Sequence, residues 1–322
     1  MRIKPGKNIR LAMLLCAGIF LGSFPVTLSA QPVQLVKTID LKKQGGKKSI
    51  GSLLFGRKDQ PEILPGSICL LDHQRLVVTD VVNGAVIILN RSGAVKKRIT
   101  RFKGERLISP VSCCSDDAGS LYISDSALRV VLKWDKKYKF KKIFIAYPGS
   151  RITGIVFAGG VFYCVDTLGH RILCFTRDGK LKFTFGKRGS EVGEFNFPTH
   201  ITADNQYVYI TDTMNFRVQV FDRAGEFLRT FGKVGRGGGN FSKPKGLAVD
   251  MQQRIYIADA MFDNIQIFSI TGEFLYYFGS PGHREGEFWM PADVLVDKNN
   301  FIWVADTYNS RIQVFKLKKE FL

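Results

Sequence analysis

One sentence of sequence recurs along most of this chain. Residues 207–221 read YVYITDTMNFRVQVF, residues 254–268 read RIYIADAMFDNIQIF, and residues 301–315 read FIWVADTYNSRIQVF. Anchoring on the aspartate that closes the first half of each phrase gives Asp212, Asp259 and Asp306, with looser copies at Asp166, Asp125 and Asp80. The intervals are 45, 41, 46, 47 and 47 residues, so the phrase is spoken six times. Self-similarity at a fixed period decides architecture before any single residue does.

Each copy divides into four short runs. A Pro-led run comes first, as in residues 197–201, 243–247 and 290–294; two runs flank the aspartate; a fourth follows, as in residues 226–231. Short β-branched and aromatic runs bounded by Gly, Pro, Asn and Asp are strand signals. Four strands in roughly 45 residues match a propeller blade. Val208–Ile210 and Ile255–Ile257 are apolar at successive positions, as expected of sheets covered on both faces. Turns such as Asp178-Gly179 and Thr271-Gly272 favour antiparallel meanders over a solenoid. The chain is therefore expected to be all-β, a six-bladed β-propeller of four-stranded antiparallel blades.

The pattern Pro-x-(Gly/His/Asp)-(Ile/Leu/Val), then (Tyr/Trp)-(Ile/Val)-x-Asp-x-x-Asn-x-Arg-(Ile/Val)-x-Val-Phe, resembles NHL-repeat proteins, which form six-bladed propellers. It covers the chain after residue 34, with Asp212, Asn215, Arg217 and Asp306, Asn309, Arg311 carrying it in full. Blade 5 departs, with Phe262 and Asn264 in the Asn and Arg places. In blades 1 and 2, Ala85 and, on an ungapped count, Val130 stand where Arg is expected. The resemblance implies scaffolding and recognition. Some propellers of this kind are lyases that hold zinc through three channel histidines, and some bind RNA on the loop face.

The N-terminus has its own character. Arg2, Lys4, Lys7 and Arg10 precede an apolar run from Leu11 to Leu21, broken by Gly22, Ser23 and Pro25 before Ala30. That is the form of an export signal, and the run is short of the ~20 residues that span a bilayer. Residues 1–30 are read as a signal peptide, residues 31–322 as one propeller without a transmembrane span, secreted or periplasmic and monomeric. Residues 34–40 (QLVKTID) look like a fourth strand with no blade before them, while the last copy runs out at Phe321-Leu322. An open sheet edge invites association. Residues 35–39 are expected to complete blade 6 and close the ring, with Phe321-Leu322 the competitor for that edge.

The formal charge is +19, and removal of Arg2, Lys4, Lys7 and Arg10 leaves +15. Residues 42–58 carry six basic side chains and no acid, among them Lys42, Lys43, Lys47 and Lys48. Residues 231–247 add Lys233, Arg236, Lys243 and Lys245, again without an acid. Both belong to connections between blades, like residues 186–197 and 279–290, and loops on a rigid frame are where binding usually lives. The lysines of residues 136–142 sit on the outer hairpin of blade 2 and read as a solvated edge. Clustered positive potential on the loop face attracts polyanions. An exported protein rarely meets RNA, so nucleic acid is unlikely and the expected partner is an acidic protein or an anionic envelope polymer. Phe288 and Trp289 are the apolar candidates beside these cations.

At the start of each innermost strand stand Ser67, Ser112, Gly154, His200, Gly246 and Asp293, the channel-mouth candidates. A catalytic zinc keeps three protein ligands and one open site. Of His73, His170, His200 and His283, only His200 holds a channel position, and a triad would need Asp293 and a bent loop bringing in His283. No metal or cofactor is therefore expected, and a channel-metal lyase or lactone hydrolase is the alternative to a non-catalytic binding scaffold. The repeated aspartates precede turns, where Asp commonly bonds backbone N–H groups, so a structural duty is assigned to them. No nucleophile elbow, phosphate loop or dinucleotide fingerprint appears. Five cysteines follow the signal (Cys69, Cys113, Cys114, Cys164 and Cys174), with no Cys-x-x-Cys. Cys164 and Cys174, on adjacent strands, are the one candidate bridge; burial as small apolar residues is the favoured reading.

Overall fold

The computed structural model describes residues 32–42, 63–72 and 74–321. Six four-stranded antiparallel sheets are present, and five run in simple sequence order. Blade 4 shows the plan: Pro198–Ala203 innermost, then Tyr207–Asp212, Arg217–Asp222 and, outermost, Phe227–Phe231. The innermost strands touch their neighbours all the way round, including Pro65–Leu70 of blade 1 against Asp293–Val296 of blade 6. The ring is closed.

Closure is made by Val33–Asp40, which pairs antiparallel with Arg311–Leu317 as the outer strand of blade 6. The C-terminus does not compete for that edge. Lys319–Phe321 turns into a 3-10 segment and lays Phe321 edge-on to Tyr276 of blade 5, ring centroids 4.9 Å apart.

The period-two alternation of each strand feeds two inter-blade cores. Val208 and Ile210 pack toward blade 3, while Tyr209 packs toward blade 5. Six apolar clusters result among the described residues, one at each seam of the ring. Cys164 faces the blade 2–3 cluster and Cys174 the blade 3–4 cluster, so the two thiols lie on opposite faces of the sheet and no bridge forms. All five cysteines are free and buried.

A threonine after the repeated aspartate ties blade to blade. The hydroxyls of Thr167, Thr213 and Thr307 donate to the carbonyls of Pro198, Pro244 and Pro65 at 2.6, 3.0 and 2.8 Å, the last across the closing seam. On the opposite face a second aspartate series appears in the turns after the innermost strands. Asp116, Asp204 and Asp250 each accept from turn N–H groups and from the hydroxyl of Tyr122, Tyr209 or Tyr256; Asp297 takes the indole N–H of Trp303.

The three Gly-rich connections share one shape. Gly186, Gly232 and Gly279 hold φ of +83°, +87° and +91°, and a Cβ there would lie within 2.4 Å of the ring of Phe195, Phe241 or Phe288. Those rings are fully buried, so Phe288 is a core residue joined to Phe278 and Phe315, not the surface contact its sequence position suggests. Between blades 1 and 2 the connection is instead a small hairpin, Arg101–Phe102 with Glu105–Arg106, turning on Lys103 and Gly104 at positive φ. Blade 2 keeps the ungapped register, with Val130 opposite Asp125.

Candidate functional site

The start of each innermost strand is irregular. In blades 1 to 5 the pairing slips just after the leading residue, for instance between Pro198 and His200, which re-aims the following side chain. These residues meet at a central cavity of about 250 Å³, lined by Ser67, Ser112, Gly154, His200 and Asp293 among others. A Cβ on Gly246 would lie 2.2 Å from Asp293 Oδ1, so the sixth position is filled by its neighbour.

Asp293 is strongly perturbed there. Its Oδ2 accepts the Ile68 N–H and its Oδ1 the Val294 N–H, both at 2.9 Å, and Ser67 adds a further bond. Burial nevertheless pushes the carboxyl up to about 7, against those bonds and the pull of Lys245. His200, enclosed by protein though open to the channel, is pushed down to about 3 by burial and by the charge of Lys245. Its Nδ1 lies 2.9 Å from the Thr199 hydroxyl. The hydroxyl of Ser112 accepts the Ile155 N–H at 3.2 Å.

Lys245 does not belong with the loop cations. It is the second residue of Pro244–Val249, half-buried, with an ammonium lowered by burial and by Lys243 and raised by Asp293. Sequence grouping by charge run put it on the surface, whereas the innermost strand begins one residue earlier. His200, Lys245 and Asp293 thus come from blades 4, 5 and 6 to one side of the channel.

Lys233, Arg236 and Lys243 are exposed on the connection to blade 5. Lys42 is exposed at the end of the closing strand, while Lys43, Lys47 and Lys48 and the rest of residues 43–58 lie outside the described residues, as do residues 1–30, where a signal peptide is expected, and His73. Trp289 is exposed, tilted on Tyr308 at 5.3 Å and edge-on to His283 at 5.1 Å. Positive charge is uneven on this face: Lys187 pairs with Glu194 at 3.3 Å, and residues 279–290 carry Glu285 and Glu287.

A feature absent from the sequence reading organises the same face. The second residue after each repeated aspartate is apolar and points out: Val82, Leu168, Met214, Met261 and Tyr308 are 45% to 65% exposed, and blade 2 has exposed Ala127. Phe197 and Trp289 add large rings before the innermost strands of blades 4 and 6. The signal was present as an offset of two from each aspartate, hidden because the residue type varies.

The aspartates themselves are fully buried and saturated. Asp212 accepts from Asn196 N–H (2.6 Å), Asn215 (2.8 Å), Arg217 Nε (2.8 Å) and Gln219 (3.1 Å), and Asp306 repeats the set with Trp289 N–H, Asn309, Arg311 and Gln313. Arg171 pairs with Asp166, and in blade 1 Arg98 of the outer strand replaces the missing arginine at 3.4 Å.

The zinc implied by the lyase resemblance does not fit this donor set. No group of three His, Cys, Asp or Glu converges among the described residues. The Nδ1 of His170 accepts the Phe197 N–H, and that of His283 contacts Asn309 at 2.6 Å, both away from the cavity lining. Lys245, a cation, faces the two donors that remain.

Fold and repeat together define the class: a six-bladed β-propeller. Residues 288–315 match the NHL repeat and residues 199–262 match a family described as "6-bladed beta-propeller". The chain is thus a six-bladed propeller that carries an NHL repeat in its last blade. No curated protein matches its sequence. Among solved structures it is similar to an auxiliary nutrient binding protein from Bacteroides thetaiotaomicron (14% identity, 81% of this chain and 71% of that one, TM-score 0.63). It is also similar to a catalytically inactive virginiamycin B lyase from Staphylococcus aureus with quinupristin (17% identity, 89% and 100% covered, TM-score 0.59). A streptogramin B lyase matches at 15% identity, with 80% and 95% covered and TM-score 0.59. At these identities the likeness is one of fold. No helix among the described residues is long and apolar enough to cross a membrane.

Proposed function

We propose that this protein is a non-catalytic docking module of the cell envelope or its exterior, whose loop face binds an acidic protein. The observation that carries the reading is the crown of exposed apolar side chains at Val82, Leu168, Met214, Met261 and Tyr308, bordered by Lys233, Arg236 and Lys243. An exposed apolar patch with a polar rim marks a protein contact, and the cations add sign-selective steering. An anionic polysaccharide would use the cations and leave the crown idle, so the crown favours a protein. The auxiliary nutrient binding protein lends the fold a precedent for binding roles.

The test is photo-crosslinking from position 261, followed by affinity measurements with the purified partner. Met214→Ser with Met261→Ser should weaken binding at least tenfold at both low and high salt. Charge reversal of Lys233, Arg236 and Lys243 should weaken it chiefly at low salt. A retained polysaccharide, or affinity unchanged by the crown substitutions, defeats the proposal. The second reading is chemistry at the channel, favoured by the convergence of His200, Lys245 and Asp293. It predicts substrate turnover lost on His200→Gln or Asp293→Asn.

A further inference from the structure

Blade 5 lacks a side chain that blades 4 and 6 both use. In blade 4, Arg217 stands opposite Asp212, gives Nε to its carboxylate and gives Nη2 to the carbonyls of Glu191 and Glu194 at 2.7 and 2.9 Å. In blade 6, Arg311 stands opposite Asp306 and reaches the carbonyls of His283, Arg284 and Glu287 at 2.7–2.8 Å. Each arginine thus locks a Gly-rich connection onto its blade.

The connection before blade 5 follows the same course. Gly239 donates to Gln266 Oε1 as Gly193 does to Gln219 and Gly286 to Gln313, all at 2.9 Å. Gln266 Nε2 donates to the Asn240 carbonyl as its counterparts do to Glu194 and Glu287. By position, the carbonyls of Gly237 and Asn240 are those an arginine would meet. The residue opposite Asp259, however, is Asn264.

Its shorter side chain leaves a cavity of about 270 Å³, bounded by Arg236, Gly237, Phe262, Asn264, Gln266 and Tyr277. One acceptor lining this space has no donor, and the aspartates next to Asn264 in the strand pair have backbone donors but, among the described residues, no cation. The buried Oδ1 of Asn264 has no hydrogen-bond partner, an arrangement that costs ~1–3 kcal/mol when left so. Asp259, fully buried, is held by the backbone N–H groups of Ser242, Lys243, Met261 and Phe262, and among the described residues no cation pairs with it. Asp263, beside it, is raised by burial and by the charges of Asp306 and Asp259.

We propose that this cavity is a guanidinium-binding site, taking from solution or from a partner the planar cation that blades 4 and 6 supply from their own third strands. A guanidinium matches because its fork of donors fits two diverging carbonyls and its flat face lies against Tyr277 and Phe262. An ammonium would satisfy the charge and not the fork. This is independent of the docking proposal, since it rests on the blade 5 slot alone.

The probes are butylguanidinium and its uncharged isostere butylurea, titrated into the full chain by isothermal calorimetry and ligand-observed NMR. The guanidinium should bind at least tenfold tighter than the urea. Asn264→Arg should rebuild the internal lock, raising Tm and weakening butylguanidinium at least tenfold. Should that variant fail to fold, Asn264→Leu, which removes the orphan acceptor, should weaken binding likewise. Arg236→Ser removes the cation at the rim and should bind at least as tightly as the parent. A capped Gly-Arg-Gly peptide separates the sources: tighter binding than butylguanidinium assigns the site to a partner's arginine, equal or weaker binding to a free small cation. Equal affinity for guanidinium and urea, equal affinity in parent and Asn264→Arg, or loss of binding in Arg236→Ser would overturn the assignment.

Discussion

Asp293 gives the sharpest quantitative handle on the channel. Its carboxyl is pushed up to about 7 by burial, against an ordinary value near ~3.9 in the unfolded chain. A carboxyl raised in this way binds its proton more tightly in the folded state, so it favours folding fully only below the unfolded value. That contribution is lost as pH rises from about 4 through 7. The gap corresponds to roughly 4 kcal/mol, at ~1.4 kcal/mol for each tenfold change in proton affinity. The perturbation is Asp293→Asn, which leaves the ring positions unchanged and removes the titration. Urea unfolding from pH 4 to 8 should then show the parent losing stability relative to the variant by up to ~4 kcal/mol, most of it before pH 7.5. Lys245→Met, by removing the one cation that opposes the shift, should move the inflection above 7. A parent-minus-variant difference that stays flat with pH would refute the claim that Asp293 is desolvated in the channel.

Further outcomes follow from the same geometry. His200 moves the other way: its pushed-down imidazole costs stability as pH falls from 6.5 toward 3, so His200→Gln should flatten the acid limb of the unfolding curve. Gly246→Ala places a Cβ 2.4 Å from the Cα of Asp293, a backbone clash expected to cost ~2 kcal/mol or more and to lower Tm. Asp212→Ala strands the buried partners Arg217, Asn215 and Gln219 and should cost ~3–5 kcal/mol in denaturant, with Asp212→Asn recovering part of it. Deleting residues 33–40 exposes the edge of Arg311–Leu317 and should convert the protein to an aggregating species by size-exclusion chromatography.

The features legible in the sequence were those that recur six times with the same residue type. Asp80 through Asp306 announced blade number and turn positions because each performs one duty in one place, and the unpaired strand at residues 34–40 announced closure because a ring must share an edge. Lys245 was misplaced because grouping by charge joined it to Lys233, Arg236 and Lys243 although the Pro-led run at residues 243–247 already set it on an innermost strand, where the channel wall replaces solvent. The apolar crown was hidden for the converse reason: Val82, Leu168, Met214, Met261 and Tyr308 share an offset and not an identity. The second aspartate series escaped in the same manner, although Asp116, Asp204, Asp250 and Asp297 each precede their aromatic partner by five or six residues.

Repetition also makes departures readable once the blades can be superimposed. Phe262 and Asn264 look in sequence like a decayed repeat, and decay alone would predict a looser blade. Blade 5 is not looser: its register runs without a slip from Ile255 opposite Phe268 to Asp259 opposite Asn264, and Gln266 keeps both bonds to its connection. The frame is retained while one side chain is withdrawn, which separates the stability of the blade from the occupancy of the slot. That separation is what a binding site on a propeller requires, because the ring must hold its shape whether or not the ligand is present.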